Sequence, residues 1–376
     1  MVFHFPPISG GGVIVIVELA NKLAELGNDV TIITPKLDWN GETYNPFIDS
    51  RISIIRVATP SSNNMKVAAR RCYFSMKEKA DNLMKDSKYD FILTIFHPFH
   101  LVPKAAVACG QKYDIPVIIK IDDAIYEKSK GLKSIQRRIE KMINSKTLRK
   151  ASRILVSNEN TRNLVSKYYK ISIDKISIIP NGVDTGNFYS GKESSNQIIF
   201  SGVMYYHRGI DVLLESASNV IQKIPDVQFV LLGSGPEMEK LVEFTKKYNL
   251  TKNVKFLGWV DRKQIPEYLA KSAIGIGPLR VTDVTTDALP IKVLEYMASY
   301  LPILAKRGTL SSDILIEGEN GFFVKDANEL AEKIIYLLQN QNVRNKMGQK
   351  SRKIVEKYDW KIIAQSVINE YKICLD

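Results

Sequence analysis

Residues 198–232 read IIFSGVMYYHRGIDVLLESASNVIQKIPDVQFVLL, and this stretch decides the fold. A short apolar run, Ile198–Ser201, ends at Gly202, a helical pattern runs from Gly209 to Gln222, and a second apolar run follows at Gln228–Leu232. Strand, helix and strand in this order make the unit of a parallel sheet, because parallel neighbours need a long crossover, usually a helix. Outward from it the alternation continues: helix Glu237–Tyr248, strand Val254–Leu257, helix Gln264–Lys271, strand Ile274–Gly277, helix Ile291–Ser299 and strand Pro302–Ala305. Toward the N-terminus the predicted strands are Val2–Phe5, Val30–Thr34, Ile52–Val57, Phe91–Ile95, Pro116–Ile121, Arg153–Val156 and Lys175–Ile179. Helical patterns lie between most of them, at Asn64–Met84, Leu101–Tyr113 and Ile135–Lys150. After Gly12 the β-branched run Val13–Val17 suits a strand, but Leu19, Leu23 and Leu26 fall at helical spacing and Gly27 is placed to cap, so one helix is expected from Gly12 to Leu26.

The alternation stops at Pro180-Asn181-Gly182-Val183, and a polar stretch to Asn196 follows. The expected architecture is α/β, with two Rossmann-like doubly wound domains facing each other across a cleft. Residues 1–184 form the first, residues 185–358 the second, and 359–376 a C-terminal helix crossing back onto the first. Ligands of such sheets bind outside the carboxyl ends of the strands.

The composition agrees. Of 376 residues 45% are hydrophobic and 25% charged, which excludes a disordered chain, a collagen and a disulfide miniprotein. Apolar runs such as Val13–Val17 fall far short of the roughly 18 residues a membrane span needs. No secretory signal is visible, and three scattered cysteines (Cys72, Cys109, Cys374) indicate neither disulfides nor zinc, so a cytoplasmic protein is expected. The start so close to Phe5-Pro6-Pro7 points to a truncated first strand or a misassigned start. Net charge is +13, and residues 1–190 hold 28 Lys and Arg against 18 Asp and Glu, whereas the remainder holds 25 against 22. A basic first half suggests an anionic partner: membrane, nucleic acid or phosphorylated substrate.

Several motifs sit where strands end. Gly10-Gly11-Gly12 opens the first helix, where glycine lets a backbone approach a bulky anion; a plain tight turn accounts for it equally well, since the G-x-G-x-x-G spacing is missing. Gly202 closes the strand Ile198–Ser201, and Arg208 at the next helix is either a diphosphate clamp or an ordinary surface arginine. In Asp287–Tyr296, Lys292 and Glu295 are three apart, a spacing that alone reads first as an i,i+3 salt bridge on a solvated face. At a sheet's carboxyl edge, however, the carboxylate could accept two hydrogen bonds from the vicinal hydroxyls of a ribose and the lysine could neutralise phosphate. His97 and His100, and Asp122 and Asp123, follow strands of the first domain as polar residues toward a substrate, or as hydrogen-bonded loop residues; a metal site would need more ligands than are grouped here. Residues 128–153 carry ten basic residues against one acid, with Leu132, Ile135, Ile139, Met142, Ile143 and Leu148 near one face. Such a helix lies on an anionic membrane or packs its apolar face on the sheet.

Taken together these segments resemble the large family 4 of glycosyltransferases, with the GT-B fold, over nearly the whole chain. The resemblance rests on Phe5-Pro-Pro-Ile-Ser-Gly-Gly-Gly12, Glu18-Leu-Ala20, Gly27-Asn-Asp-Val30, Ile179-Pro-Asn-Gly-Val-Asp184, Ser201-Gly202 to Arg208-Gly209, Leu232-Gly-Ser-Gly-Pro236 and Pro290-Ile-Lys-Val-Leu-Glu-Tyr-Met-Ala298 followed by Leu301-Pro302. It implies retaining transfer of a hexosyl-type sugar from a nucleotide-diphosphate donor, with no metal or other cofactor, to a glycan or lipid-linked acceptor in surface glycan or glycoconjugate biosynthesis. Donor would bind the second domain and acceptor the first. Glu295 matches the second Glu of the family's Glu-x7-Glu motif, on the ribose hydroxyls, and Asp287 stands at the first, facing the donor sugar. Arg208 matches the basic residue at the diphosphate, with Gly10, Gly11 and Gly12 completing that cradle, and Lys292 fits a variant of a subset. Val203 stands where many relatives have a second phosphate-binding Arg, Asp122 where many have a His at the acceptor–donor junction, and Asp287 is one methylene shorter than Glu.

The expected catalytic set is therefore Asp287, Asp122, Arg208 and Lys292, the donor set adds Glu295, Gly10–Gly12 and Gly202, and His97, His100 and Asp123 face the acceptor. The protein is expected in the cytoplasm, peripheral on the inner face of the membrane through 128–153. Alternatives are a catalytically weak paralogue serving as partner subunit, suggested by Val203 and Asp287, and a nucleotide-sugar epimerase of the same fold. Nucleic-acid binding rests on charge alone and is not expected.

Overall fold

In a computed structural model, the structure describes residues 1–375 except 9, 38–42, 59–64, 123–131, 192–195, 283, 284 and 287, and leaves out the side chains of 65, 66, 68, 69, 132, 133 and 136. The chain divides into two compact units, 1–181 with 360–376, and 182–359.

The first unit runs α1 (Gly11–Glu25), β1 (Thr31–Pro35), β2 (Ser53–Val57), α2 (Met65–Asp86), β3 (Ile92–Ile95), α3 (Val102–Tyr113), β4 (Val117–Ile121), α4 (Leu132–Lys150), β5 (Arg153–Val156), α5 (Glu159–Tyr169) and β6 (Ile176–Ile178). Strands β3-β4-β5-β6 form one parallel sheet and β1-β2 a second. The expected strand at Val2–Phe5 does not form. Instead this segment makes one bond to each sheet: the Met1 ammonium donates to Leu93 O at 2.7 Å and Val2 N donates to Ile33 O at 3.0 Å. The helical reading after Gly12 holds: α1 starts at Gly11, and Gly10 stands at its N-cap with φ 150°.

In the second unit follow β7 (Gln197–Ser201), α6 (Ile210–Lys223), β8 (Gln228–Leu232), α7 (Met238–Lys247), β9 (Val254–Gly258), α8 (Ile265–Ala270), β10 (Ile274–Ile276), α9 (Ile291–Ala298), β11 (Ile303–Lys306), β12 (Gly321–Val324), α10 (Ala327–Gln339) and α11 (Gln341–Val355). All six strands are parallel, in the order β12-β11-β10-β7-β8-β9. Side chains alternate across the pleat, so Ile198 and Phe200 enter one apolar cluster and Ile199 the opposite one. Full burial of each such side chain contributes roughly 1.5–3 kcal/mol, which locks the register, because a one-residue slip would exchange the two faces. Helix α12 (Trp360–Ile373) returns to the first unit, where Arg153 Nε donates to Glu370 at 2.9 Å and Phe91 stacks on Tyr371 at 5.0 Å.

Candidate active site

The order of the second sheet reverses between β7 and β10. From β7 the chain steps outward through β8 and β9, then returns to β10 on the other side. At such a switch point the loops leaving adjacent carboxyl ends diverge and leave a crevice. Gly202 follows β7 there, and α9 follows the β10 loop.

Gly202 has φ 128°, a conformation that favours glycine, and its N–H donates to Leu232 O at 2.9 Å. The next loop comes so close that a side-chain carbon on Gly233 would lie 2.2 Å from Gly202 O. Met204 N donates to Ser234 O at 2.8 Å and Gly233 N to Gly258 O at 2.6 Å, so the loops after β7, β8 and β9 are laced by backbone bonds.

Helix α9 begins just after Pro290, and all its residues from Lys292 to Ala298 are buried. Lys292 and Glu295 do not form the i,i+3 surface pair. Lys292 is 9% exposed, and among the described residues its Nζ has neither a hydrogen-bond partner nor an ion pair. The ammonium stands 3.7 Å from the centre of the Phe200 ring, and a side-chain carbon on Gly202 would meet it at 3.7 Å. Burial, and then the neighbouring Arg208 charge, depress its pKa well below the usual lysine value, with Glu295 opposing. Glu295, 3% exposed, pairs elsewhere: its Oε1 lies 2.7 Å from Arg262 Nη1. One residue on, the Tyr296 hydroxyl accepts from Ser201 N at 2.7 Å and ties α9 to the end of β7; burial raises its pKa.

Arg208 ends a short 3₁₀ turn, Tyr206–Arg208, closed by Gly209. Its carbonyl accepts from Leu279 N at 3.1 Å. Across the same loop, Arg280 pairs with Asp211 at 2.6 Å and lies 3.8 Å over the Tyr206 ring. His207 is held near pKa 4 by burial and by the charges of Arg208 and Lys292. The second unit thus gathers Gly202, Arg208, Lys292 and Glu295, with Arg262 and His207 as members the sequence reading missed. Asp287 lies outside the described residues.

The first unit holds the other expected residues. Gly11 and Gly12 are exposed at the start of α1, and side-chain carbons built on Gly10, Gly11 or Gly12 would meet nothing within 4 Å. His97 stacks on His100 at 4.3 Å, and His4, unassigned from sequence, stands edge-on to His100 at 5.2 Å. Burial lowers the pKa of His4 to about 4 and of His100 to about 2, with cationic repulsion among the rings adding to it. Asp122 Oδ1 is 2.7 Å from Nζ of the fully buried Lys120 and accepts from Ser157 Oγ at 3.0 Å; Oδ2 is buried without a partner among the described residues. Asp123 lies outside the described residues. No group of three or more His, Cys, Asp or Glu among the described residues is placed to hold a metal ion.

Helix α4 inverts the usual arrangement. Its buried face carries Glu140, Asn144, Ser145 and Thr147 beside Leu148, whereas Ile135, Ile139 and Met142 are 57%, 50% and 66% exposed. Of the apolar face, Ile135, Ile139 and Met142 are thus not packed on the sheet, Ile143 is half-buried and Leu148 is fully buried. On the polar face, Arg70 lies 2.7 Å from Glu140 Oε1 and Asn144 donates to Pro98 O at 3.0 Å. Residues 128–131 of the basic stretch lie outside the described residues. No described helix is long and apolar enough to cross a membrane.

Two parallel α/β units, with a cationic and acidic cluster at the switch point of the second, define the architecture of GT-B enzymes. Family models agree: residues 9–187 match "Glycosyltransferase Family 4" and residues 187–354 match "Glycosyl transferases group 1". The chain belongs to the GT-B glycosyltransferases of the family 4 type. It is 25% identical to an uncharacterized glycosyltransferase of Haemophilus influenzae over 97% of this chain and 96% of that one. With the alpha-monoglucosyldiacylglycerol synthase of Acholeplasma laidlawii it shares 20% identity over 98% of this chain and 95% of that one. An uncharacterized glycosyltransferase of Methanocaldococcus jannaschii is 26% identical, with 55% of this chain and 58% of that protein aligned. Among solved structures, a sucrose-phosphate synthase of Thermosynechococcus elongatus has the same fold, with TM-score 0.74 at 18% identity, 100% of this chain and 98% of that chain being covered. So does Anabaena HepE in complex with UDP, with TM-score 0.72 at 14% identity over 99% of each chain.

Proposed function

We propose that this glycosyltransferase moves a hexosyl-type sugar, with retention and without a resident metal, from a nucleotide-diphosphate donor to a glycan or lipid-linked acceptor at a cytoplasmic, anionic membrane surface. The single observation that carries the donor reading is the buried Lys292 ammonium, without a partner among the described residues, beside Gly202 at the switch point and one helical turn from a buried carboxylate. A buried cation with no partner costs free energy until an anion meets it.

A diphosphate seated on Gly202, Arg208 and Lys292 places two cations on the leaving group. As the glycosidic bond breaks, negative charge grows on the departing nucleotide, and fixed cations stabilise it without reorganising. Glu295 accepts from the ribose hydroxyls, and Asp287 faces the sugar. In the first unit, Gly10–Gly12 offer a glycine turn to phosphate, while Asp122, Asp123, His97 and His100 serve the acceptor. Two relatives support the two substrates: the HepE structure is a complex with UDP, and the Acholeplasma protein is an alpha-monoglucosyldiacylglycerol synthase. The exposed Ile135, Ile139 and Met142, framed by exposed Arg138, Lys146, Arg149 and Lys150, support contact with a lipid surface.

Glu295→Ala assayed on UDP-, GDP- and ADP-sugars tests the donor reading. The expected result is loss of transfer and hydrolysis by about a hundredfold or more, since the ribose would meet no acceptor; unchanged turnover rejects Glu295 as the donor anchor. Product analysis without acceptor separates transfer from epimerisation, which would release an isomerised donor. For the membrane, Met142→Asp should reduce co-sedimentation with anionic vesicles at low salt, and wild-type protein that stays in the supernatant refutes this part.

A further inference from the structure

Arg262 is not one of the residues that touch the donor in the reading above, yet it makes the ion pair that Glu295 has in this structure. The arginine is held firmly. It begins a 3₁₀ turn, Arg262–Gln264, whose first residues are fastened by Asp261: its side chain accepts from Lys263 N at 2.9 Å and its carbonyl from Gln264 N at 2.8 Å. The turn runs straight into α8, anchored by Ile265 and the fully buried Leu269. Its guanidinium side chain is 23% exposed, whereas that of Glu295 is 4% exposed.

A carboxylate so buried needs partners to offset its lost hydration. The nearer cation in sequence, Lys292, does not pair with it, and Arg262 reaches from a different loop to 2.7 Å. Glu295 Oε1 makes that contact while accepting no aligned hydrogen bond among the described residues, so its lone pairs stay open to another donor. A charged carboxylate, fixed in place and still unsatisfied, is what a pair of vicinal hydroxyls requires.

We propose that Arg262 is a positioning residue: it fixes the Glu295 carboxylate in the orientation that accepts from the 2′- and 3′-hydroxyls of the donor's ribose. The proposal rests on the donor reading above. It acts through the ribose alone, so its loss is felt by nucleotides that carry both hydroxyls and by no others.

Calorimetry with UDP, GDP and ADP, and with the 2′,3′-dideoxy form of whichever binds, tests this on wild-type, Arg262→Ala and Arg262→Lys proteins. Arg262→Ala should weaken the ribonucleotide about tenfold and leave the dideoxy nucleotide unchanged. In turnover assays KM for the donor should rise with kcat nearly constant, and Arg262→Lys should recover most of the affinity. In a Glu295→Gln background, Arg262→Ala should add nothing. Equal weakening of ribo- and dideoxynucleotide, or unchanged affinity for both, overturns the proposal while leaving the donor site standing. Failure of all three nucleotides to bind wild-type protein overturns the donor reading and this proposal with it.

Discussion

Each unit places a lysine against its sheet, and the two lysines are treated in opposite ways. Lys120 on β4 is fully buried and answered: Asp122 lies 2.7 Å away, and Ile179 O accepts from Nζ at 3.2 Å. Lys292 on α9 is nearly as buried and answered by nothing but the face of Phe200 among the described residues. The first cation is answered within the fold. The second is left open among the described residues, the opening that the proposed diphosphate would fill. Burial therefore does not tell the two lysines apart; the partner each has among the described residues does.

That contrast can be broken by experiment. Lys120→Met should leave the half-buried Asp122 carboxylate without its cation and cost about 2–4 kcal/mol of unfolding free energy in urea titration. A loss of under about 1 kcal/mol would show that the pair is not what holds this corner. Lys292→Met should do the reverse. Stability should be unchanged or improved, since an unpaired buried ammonium is removed, whereas transfer falls about 10²–10³-fold, as for loss of one transition-state donor. Destabilisation with full activity would place Lys292 in the core rather than the site.

A smaller effect comes from the His4, His97 and His100 stack in the first unit. The unfolded chain takes up protons near pH 6.5, whereas burial holds folded His4 at about 4 and His100 at about 2. Between these values the unfolded state binds more protons, so stability falls as pH drops below 6.5, by about 1–2 kcal/mol per histidine by pH 5. His100→Phe should flatten that slope in denaturant midpoints measured from pH 7.5 to 5. An unaltered slope would show that the ring protonates freely in the folded chain.

Much of this was legible in the sequence, for reasons that differ by region. Strands buried on both faces, such as Ile198–Ser201 and Pro116–Ile121, announce themselves as continuous apolar runs, and most helices between them show a clear apolar stripe. Val2–Phe5 looks the same by composition, but among the described residues just Val2 N, with the Met1 amine before it, bonds to the sheets, so no ladder forms. The strand Gly321–Val324 hides behind the turn formers Asn320 and Gly321, although a side-chain carbon on Gly321 would strike Ile303 O at 2.0 Å, so the strand needs that glycine. Helix α11 hides because it is so polar, with Arg344, Met347, Gly348, Ser351 and Val355 as its buried residues.

The site divides in the same way. Gly202, Lys292 and Glu295 are visible because each follows a strand in a turn or first helical turn. Arg262 is invisible: it lies 33 positions from Glu295, in a loop whose only sequence cue is Asp261 at a turn start, and nothing local tells where its guanidinium goes. The exposed apolar face of α4 was ambiguous because periodicity fixes which residues share a face, but not whether the sheet or the surroundings receive it.

The most direct measurement is a crystal of the protein soaked with UDP, or with GDP or ADP where these bind instead. The account predicts the diphosphate against Gly202, Arg208 and the Lys292 ammonium, with the ribose hydroxyls donating to Glu295. A nucleotide seated away from α9, with Lys292 still unpartnered, would contradict it.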